Sequence, residues 1–210
     1  DVANSLRFDG NGDSLSKEIS GVNTTKLTIS FWFKVCNIDG TYGNMLFSSE
    51  NNSSDYLAIH QNTSGNLDIQ MTGTANRRIT NARYTDRSAW YHLVVAFDST
   101  QGTASNRIKV YVNGTQVTSF GTSTDGMSED SNLSPIDETL TYAVGTYQGQ
   151  HANYSVDGYM AEFVALYGQA LGPTSFGEFD EDSPQIWKPI SVSGLTFGGN
   201  SFYLDFEDSS

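Results

Sequence analysis

The sequence predicts an all-β fold, a two-sheet antiparallel β-sandwich made by one domain. Three observations support this prediction. Apolar residues recur at every second position in many short segments, polar turn residues separate these segments, and no segment shows a sustained helical period. The 210 residues suit one large all-β domain, and no internal repeat or linker-like stretch divides residues 1–210. We expect at most a single helical turn, after Pro173.

The most regular alternation covers residues 27–35, where every odd position is apolar, and it predicts a half-buried strand. Residues 91–97 are apolar on both faces, which is typical of a central strand in a two-layer structure. Residues 108–112 lead into Asn113-Gly114, a dipeptide that favours the positive φ angles of a hairpin turn, so residues 115–120 are the predicted return strand. Further strands are predicted at residues 5–8, 44–48, 56–61, 66–71, 142–147, 158–167 and 202–206, with longer polar loops at 72–87 and 121–138.

The chain is strongly acidic, with 24 Asp and Glu residues against 11 Lys and Arg and a formal net charge of −13. Such a surface repels phosphate backbones and anionic headgroups, which argues against nucleic acid and membranes as partners. No stretch approaches the roughly 20 apolar residues that span a bilayer. Cys36 is the single cysteine, so an intrachain disulfide is excluded. Because the sequence starts at Asp1 rather than Met, we expect a domain excised from a longer protein.

Four oxygen-bearing side chains are candidate calcium ligands. Asp9, Asn11 and Asp13 alternate in one predicted turn, and Asp157 precedes a glycine at the start of a predicted strand. Ca²⁺ takes about six to eight oxygen ligands, which turns supply through side chains and backbone carbonyls. Calcium is therefore the candidate cofactor, while turn capping through side-chain hydrogen bonds is the competing role of these residues and is favoured by how common aspartate is in turns. Glu162 is either a hydrogen-bonded inward carboxylate, in phase with Met160, Val164 and Leu166, or a further contributor to this metal site.

Tyrosines and polar residues in predicted loops and at strand ends are candidates for sugar binding. A pyranose needs an aromatic ring against its apolar face and planar polar groups for its hydroxyls. Residues 147–154, with the sequence YQGQHANY, offer both and form the preferred rim of a site, although an ordinary polar connection is the alternative. The candidate ligand-binding residues are Tyr42, Tyr84, Tyr147, His151, Asn153 and Tyr154.

Three segments add information beyond the strand pattern. The first is AWYHLVVAFD at residues 89–98, followed by NRIKVYVNG at 106–114; the second is VDGYMAEF at 156–163, leading to QAL at 169–171; the third is SLRFDG at 5–10, with Asp13. Taken in their order along the chain, the three segments resemble segments of laminin G-like and pentraxin-like domains. They span almost the whole chain. The resemblance implies a concanavalin A-like jelly roll in which the closing strand at residues 202–206 lies near the opening one.

Shorter signatures refine this resemblance. They are WYH at residues 90–92, ASNR at 104–107, GQAL at 168–171, SFGE at 175–178 and WKP at 187–189. Together they resemble laminin G-like domains of bacteriophage structural and tail proteins, which implies a location on the virion surface or outside the cell. The resemblance identifies no ligand, because one fold carries many functions.

Catalysis finds little support in the sequence. Some domains with the implied fold are glycoside hydrolases, in which paired carboxylates flank the glycosidic bond. Residues 178–183, EFDEDS, approach their Glu-x-Asp-x-x-Glu pattern but lack the final Glu, so a solvated loop is the preferred interpretation. His60, His92 and His151 are scattered, and His92 is predicted to be a packed, hydrogen-bonded residue of a central strand. We predict no catalytic residues, and we expect Trp32, Trp90 and Trp187 to be core or clamp residues.

The predicted function is a non-catalytic carbohydrate-binding or adhesion domain of a phage virion protein, with calcium as an optional aid. Its predicted partners are a glycan or host-surface polysaccharide and other virion subunits. A purely structural virion domain without a ligand is the alternative, and a glycoside hydrolase is a more remote one.

Overall fold

The computed structural model describes residues 2–20, 24–38, 43–71, 75–136, 140–147 and 154–207. Within them the chain forms sixteen β-strands and three short 3₁₀ turns, at Ala104–Asn106, Ser134–Ile136 and Pro173–Ser175. The strands are β1 (Leu6–Asp9), β2 (Leu15–Ile19), β3 (Lys26–Val35), β4 (Asn44–Asn52), β5 (Asp55–Gln61), β6 (Asn66–Met71), β7 (Asn76–Arg83), β8 (Tyr91–Asp98), β9 (Ile108–Val112), β10 (Thr115–Gln116), β11 (Phe120–Asp125), β12 (Leu140–Val144), β13 (Asp157–Tyr167), β14 (Gly177–Phe179), β15 (Trp187–Pro189) and β16 (Phe202–Leu204). In these parts of the chain, no helix is long and apolar enough to cross a membrane.

Two antiparallel sheets face each other across one large apolar core. The first sheet has the strand order β1-β13-β3-β8-β9-β10, and β16 also pairs with β13. The second sheet has the order β11-β7-β6-β5-β4-β12-β2, while β14 and β15 form a separate two-stranded sheet. The predicted two-sheet antiparallel β-sandwich is therefore confirmed. The closing strand β16 and the opening strand β1 pair with the same strand, β13, as the resemblance implied.

Alternation of side chains explains how the two sheets bury their common core. On β3, the apolar residues at odd positions are at most 1% exposed and point between the sheets. Leu57 and Ile59 of β5 meet them from the second sheet, and each is fully buried. Burial of one such side chain contributes about 1.5–3 kcal/mol, so this repeated pattern is a main source of the attraction between the sheets.

The outer face of the first sheet is covered by the C-terminal part of the chain. Val94, Val164 and Leu166 point away from the main core and pack with Phe176 and Val192 in a second apolar cluster. This cover explains why β8 is apolar on both faces, as the sequence predicted. The predicted helical turn after Pro173 lies in the covering segment and is confirmed as a 3₁₀ turn.

Two predicted loops contain strands. Residues 72–87 include β7 and residues 121–138 include most of β11, and these two strands pair with each other. The loop predictions are wrong there because the buried positions of β7 are the polar residues Asn76, Arg78 and Thr80, at most 3% exposed. Hydrogen bonds satisfy them; for example, Arg78 Nη1 donates to the Thr124 carbonyl at 2.8 Å. A strand that buries polar side chains shows no apolar alternation in its sequence.

The predicted hairpin turn is confirmed, but its return strand is shorter than expected. Asn113 and Gly114 have φ angles of 47° and 77°, which the hairpin turn requires. A Cβ atom at Gly114 would lie 2.5 Å from the Trp187 ring, so glycine is also required by close packing. The return strand ends at Gln116, and Phe120 begins β11 in the other sheet.

Strand β13 changes its buried face at a bulge. Its register with β3 shifts between Ala161 and Val164, and Glu162 has a φ of 50°. Met160 therefore faces the main core, whereas Val164 faces the outer cluster, and the predicted common phase of these residues is wrong. The Glu162 carboxylate accepts a hydrogen bond from the Tyr203 hydroxyl on the outer face.

Candidate ligand-binding site

A pocket of about 360 Å³ opens on the outer face of the second sheet. Because Leu57 and Ile59 of β5 face the core, the alternate residues Tyr56, Ala58 and His60 face this pocket. Strands β4 and β6 flank β5 and complete the floor, while the segments beyond β12 and before β13 supply one wall. The lining residues are Met45, Glu50, Ser53, Tyr56, Ala58, His60, Gln70, Tyr147 and Tyr154.

Three tyrosine rings form the aromatic part of this pocket. Tyr147 is central, with its ring centroid 5.2 Å from that of Tyr154 and 6.2 Å from that of Tyr56. Tyr56 donates a hydrogen bond from its hydroxyl to Gln70 Oε1 at 2.7 Å, which fixes the amide of Gln70. Burial raises the pKa of Tyr56 and Tyr147, so both hydroxyls stay protonated at neutral pH. The pocket thus combines apolar ring surface with hydroxyl and amide groups.

A buried ion pair supports the floor beside His60. Asp68 is 1% exposed, and Arg77 donates to its two carboxylate oxygens from Nε at 2.9 Å and from Nη2 at 2.5 Å. His60 Nε2 lies 3.5 Å from Asp68 Oδ2, while its Nδ1 is buried without a hydrogen-bond partner in the described residues. Burial lowers the pKa of His60, so its ring is neutral near pH 7. The Asp68 charge is therefore compensated by Arg77 rather than by the histidine.

Glu50 carries the single formal charge among the described lining residues, given that His60 is neutral. Its carboxylate is hydrogen-bonded to Tyr147, and this contact adds to burial in raising the pKa of the Tyr147 hydroxyl. A carboxylate accepts hydrogen bonds only, which suits the hydroxyl groups of a ligand. None of these lining residues is lysine or arginine.

The structure brings together two of the predicted ligand-binding residues, Tyr147 and Tyr154. The prediction for Tyr84 needs correction, because its ring belongs to the main core, is 9% exposed and packs edge-on against Tyr91 at 5.4 Å. The backbone of Tyr84 is fixed at this place, since its amide donates to the Gly65 carbonyl at 2.8 Å and its carbonyl accepts from Gln61 Nε2. The other three predicted residues lie outside the described parts of the chain; they are Tyr42, His151 and Asn153.

Sequence reasoning missed the part of the pocket that lies on the sheet. Tyr56 and Gln70 lie in predicted strands, and His60 was considered only as a catalytic histidine; none of the three was predicted to bind a ligand. The available signal was the alternation in β5, where Tyr56, Ala58 and His60 oppose the apolar Leu57 and Ile59. This alternation places Tyr56 and His60 on one outward face of β5, where an aromatic ring can contact a ligand.

Two of the four predicted calcium ligands, Asp9 at the end of β1 and Asp157 at the start of β13, lie opposite each other and line a second pocket of about 210 Å³, which we call the acidic pocket. Asn11 and Asp13 are not among its lining residues. The Asn11 amide donates to Asp9 Oδ1 at 2.7 Å, and the Asp9 amide donates to Asp13 Oδ2 at 3.0 Å. Asp157 Oδ1 accepts a hydrogen bond from Arg7 Nη2 at 2.7 Å. The first two contacts are the kind that turn capping makes, and the third is an ion pair between two strands. Across the described ranges, no three His, Cys, Asp or Glu side chains form a group that could hold a metal ion.

The two pockets are lined by neighbouring residues of the same two backbone segments. Asn44 and Ser155 line the acidic pocket, and their sequence neighbours Met45 and Tyr154 line the aromatic one. The Asp157 amide donates to Asn44 Oδ1 at 2.9 Å, which ties the two backbone segments together. An ion in the acidic pocket would therefore act on the same two segments that hold the aromatic pocket.

The other chemically suggestive residues have structural roles. His92 is 1% exposed, as predicted for a packed residue, and it accepts a hydrogen bond at Nδ1 from Trp187 Nε1 at 2.9 Å. In the acidic segment 178–183, Glu178 and Asp180 both pair with Lys188, at 3.4 and 3.1 Å. This segment is largely exposed, as predicted, although its first part belongs to strand β14 rather than to a loop.

These features define a jelly-roll β-sandwich with an aromatic pocket on the outer face of one sheet. A model of the concanavalin A-like lectin/glucanases superfamily, of the laminin G type, matches residues 9–176. The chain therefore belongs to the concanavalin A-like superfamily. No curated protein matches the chain by sequence.

Solved structures share this fold at low sequence identity. The native heptameric SAP-like pentraxin from Limulus polyphemus is 17% identical, over 81% of this chain and 79% of that chain, with a TM-score of 0.58. Domains LG4-5 of the mouse laminin alpha1 chain are 16% identical, over 92% of this chain and 46% of that chain, with a TM-score of 0.56. Domain 4 of AbnA, a GH43 extracellular arabinanase from Geobacillus stearothermophilus solved with arabinotriose, is 17% identical, over 78% and 71% of the two chains, with a TM-score of 0.51. At such identities the likeness shows the fold alone.

Proposed function

We propose that this protein is a non-catalytic carbohydrate-binding domain whose site is the pocket over β4, β5 and β6. The observation that carries the proposal is the aromatic pocket itself, where Tyr56, Tyr147 and Tyr154 lie beside hydrogen-bonding groups of Gln70 and Glu50. Ring surfaces bind the apolar face of a sugar, while amides and carboxylates bind its hydroxyls. The arabinanase domain solved with arabinotriose shows that a similar fold occurs together with a saccharide.

The charges in the pocket favour binding over hydrolysis. Glycoside hydrolases usually need two carboxyl groups about 5–9.5 Å apart across the scissile bond. Glu50 is the single carboxylate among the described lining residues, and the nearby Asp68 is buried and engaged by Arg77. A hydrolase remains the other class to test, because one of the similar structures is a domain of an arabinanase.

The test is a glycan array probed with the wild-type protein and with the variants Tyr147→Ala and Tyr154→Ala. Both variants should lose the wild-type hits, because each removes a ring from the pocket wall. Tyr159→Ala, which removes a tyrosine from the first sheet, is the matched control and should keep them. An empty array for the wild type, or hits that survive both pocket variants, would refute this site. Release of reducing sugar from any bound glycan would instead indicate a hydrolase.

We further propose that the domain acts on the surface of a phage particle, where it recognises a host polysaccharide. The support for this setting is the resemblance of short signatures, such as WYH at residues 90–92, to those of laminin G-like domains in phage structural proteins. Calcium is proposed to bind in the acidic pocket at Asp9 and Asp157, because two carboxylates face each other there and the same two backbone segments line the aromatic pocket. Glycan arrays with calcium and with EDTA test this part, since calcium-assisted binding must weaken when the ion is removed.

A structural role in virion assembly is the second candidate. Phe179 and Ile186 are 47% and 57% exposed at the tip of the β14–β15 hairpin, where they offer an apolar contact to a neighbouring subunit. If this contact assembles the particle, Phe179→Ser should weaken self-association or incorporation into particles, measured by sedimentation. Glycan binding that is independent of this substitution would assign the two surfaces separate roles.

A further inference from the structure

We infer that the aromatic pocket selects an uncharged saccharide and that Glu50 is the residue that rejects acidic sugars. This inference rests on the proposed carbohydrate-binding function and names the class of ligand. Two sets of charges support the inference, the charges of the residues that line the pocket and those of the ion pair between Arg77 and Asp68 beneath it.

An acidic sugar would find no positive partner in the described pocket. Uronic and sialic acids, and sulfated or phosphorylated sugars, are bound in proteins mainly through arginine or lysine. The described lining residues include neither. Arg77 is the nearby cation, and both of its hydrogen bonds to carboxylate oxygens are made to the buried Asp68. Release of this guanidinium to a ligand would leave Asp68 as an unpaired buried charge, which is strongly unfavourable.

Glu50 also favours neutral sugars over acidic sugars directly. Its carboxylate lies in the pocket and contacts Tyr147, so it is placed where a stacked sugar presents its hydroxyl groups. Hydroxyl groups donate to a carboxylate, and a bond to a charged acceptor is stronger than one between neutral groups. A ligand carboxylate at the same place is repelled instead. The net charge of −13 on the whole chain adds to this repulsion at long range.

The test uses matched pairs of oligosaccharides, each a neutral hexose oligomer beside its uronate counterpart oxidised at C6. Dissociation constants are measured by calorimetry for the wild type, Glu50→Gln and Glu181→Gln. The last variant removes the same charge from the exposed segment 178–183, away from the pocket, and controls for the net charge of the protein. Circular dichroism and melting temperature verify that each variant is folded.

The wild type should prefer the neutral member of a bound pair by at least about tenfold. Glu50→Gln should reduce this preference about fivefold, which corresponds to about 1 kcal/mol, the energy of two unit charges about 4 Å apart in water. Glu181→Gln should leave the preference unchanged. Equal or tighter binding of the uronate by the wild type, or an unchanged preference in Glu50→Gln, would overturn the inference alone. Binding of neither member of any pair would overturn the proposed function and this inference together.

Discussion

Trp187 donates a hydrogen bond from its indole Nε1 to Nδ1 of His92, over 2.9 Å, and so anchors the C-terminal hairpin to the outer face of the first sheet. The other ring nitrogen of His92 lies 2.9 Å from the Ser30 hydroxyl. Since Nδ1 accepts the indole proton, Nε2 carries the ring proton and donates it to Ser30. The imidazole is also stacked on Trp32, with ring centroids 4.9 Å apart. His92 is thus a neutral, fully bonded link between a central strand and the segment that covers it.

This arrangement predicts that the protein loses stability as the pH falls below 6.5. Burial lowers the pKa of His92 to about 3, whereas in the unfolded chain it is near its ordinary value of 6.5. Between pH 6.5 and about 3, His92 is protonated in the unfolded state but neutral in the folded state. The free energy of unfolding therefore decreases by up to about 1.4 kcal/mol for each pH unit by which the pH falls. Urea unfolding measured between pH 5 and 7.5 checks this window, where most carboxylates stay ionised. His60, whose pKa burial also lowers, acts in the same direction.

An NMR titration identifies the group responsible for that loss. The ring signals of His92 should stay unchanged down to about pH 4, and His92→Gln should show a flatter dependence of stability on pH. A midpoint near 6.5 for His92 in the folded protein would contradict the neutral, buried imidazole.

Trp187→Phe should loosen the C-terminal cover while keeping an aromatic ring at this position. The substitution removes the indole donor and leaves His92 Nδ1 buried without a partner, which costs about 1–3 kcal/mol. Chemical denaturation measures the loss, and limited proteolysis should show faster cleavage in the covering segment. The matched control is Trp90→Phe, since Trp90 is only partly buried at the margin of the same cluster. Equal losses in the two variants would show that the hydrogen bond is unimportant.

The sandwich could be predicted from the sequence wherever core positions are apolar. On β3 the alternation of Leu27, Ile29 and Phe31 fixes both the strand and its buried face, and the structure agrees. Strand β7 could not be predicted, because Arg78 and Thr80 occupy its buried positions and are stabilised by partners from other segments. The change of buried face along β13 could not be predicted either, since the bulge at Glu162 depends on pairing with β3.

The candidate site also contains residues that the sequence could predict and residues that it could not. Tyr147 and Tyr154 could be chosen from the composition of one short segment. Tyr56 and Gln70 come together only because β5 and β6 pair in a register that places Ala58 opposite Gln70. No local pattern encodes that register, so the floor of the pocket required the three-dimensional structure.

Arg77→Met should destabilise the protein by about 3–5 kcal/mol, because it leaves the Asp68 carboxylate buried without its partner. The double variant Arg77→Met with Asp68→Leu should recover much of this loss, since it removes both charges together. Urea unfolding of the single and double variants measures the effect. In Arg77→Met the pKa of His60 should rise, because Arg77 lowers it and Asp68 raises it in the wild type. A single variant as stable as the wild type would show that the ion pair between Arg77 and Asp68 is not needed for stability.

Calcium should raise the melting temperature only if it displaces Arg7 from Asp157. The ion pair with Arg7 engages the Asp157 carboxylate of the acidic pocket. The Asp13 carboxylate already accepts a hydrogen bond from the Asp9 amide. Removal of the competing cation in Arg7→Gln should therefore strengthen any calcium-dependent stabilisation, whereas Asp157→Asn should abolish it. Thermal melts with calcium, with magnesium and with EDTA separate a specific site from general screening of the acidic surface. If calcium and magnesium act equally in all three proteins, the predicted site is absent and these aspartates serve only to cap turns.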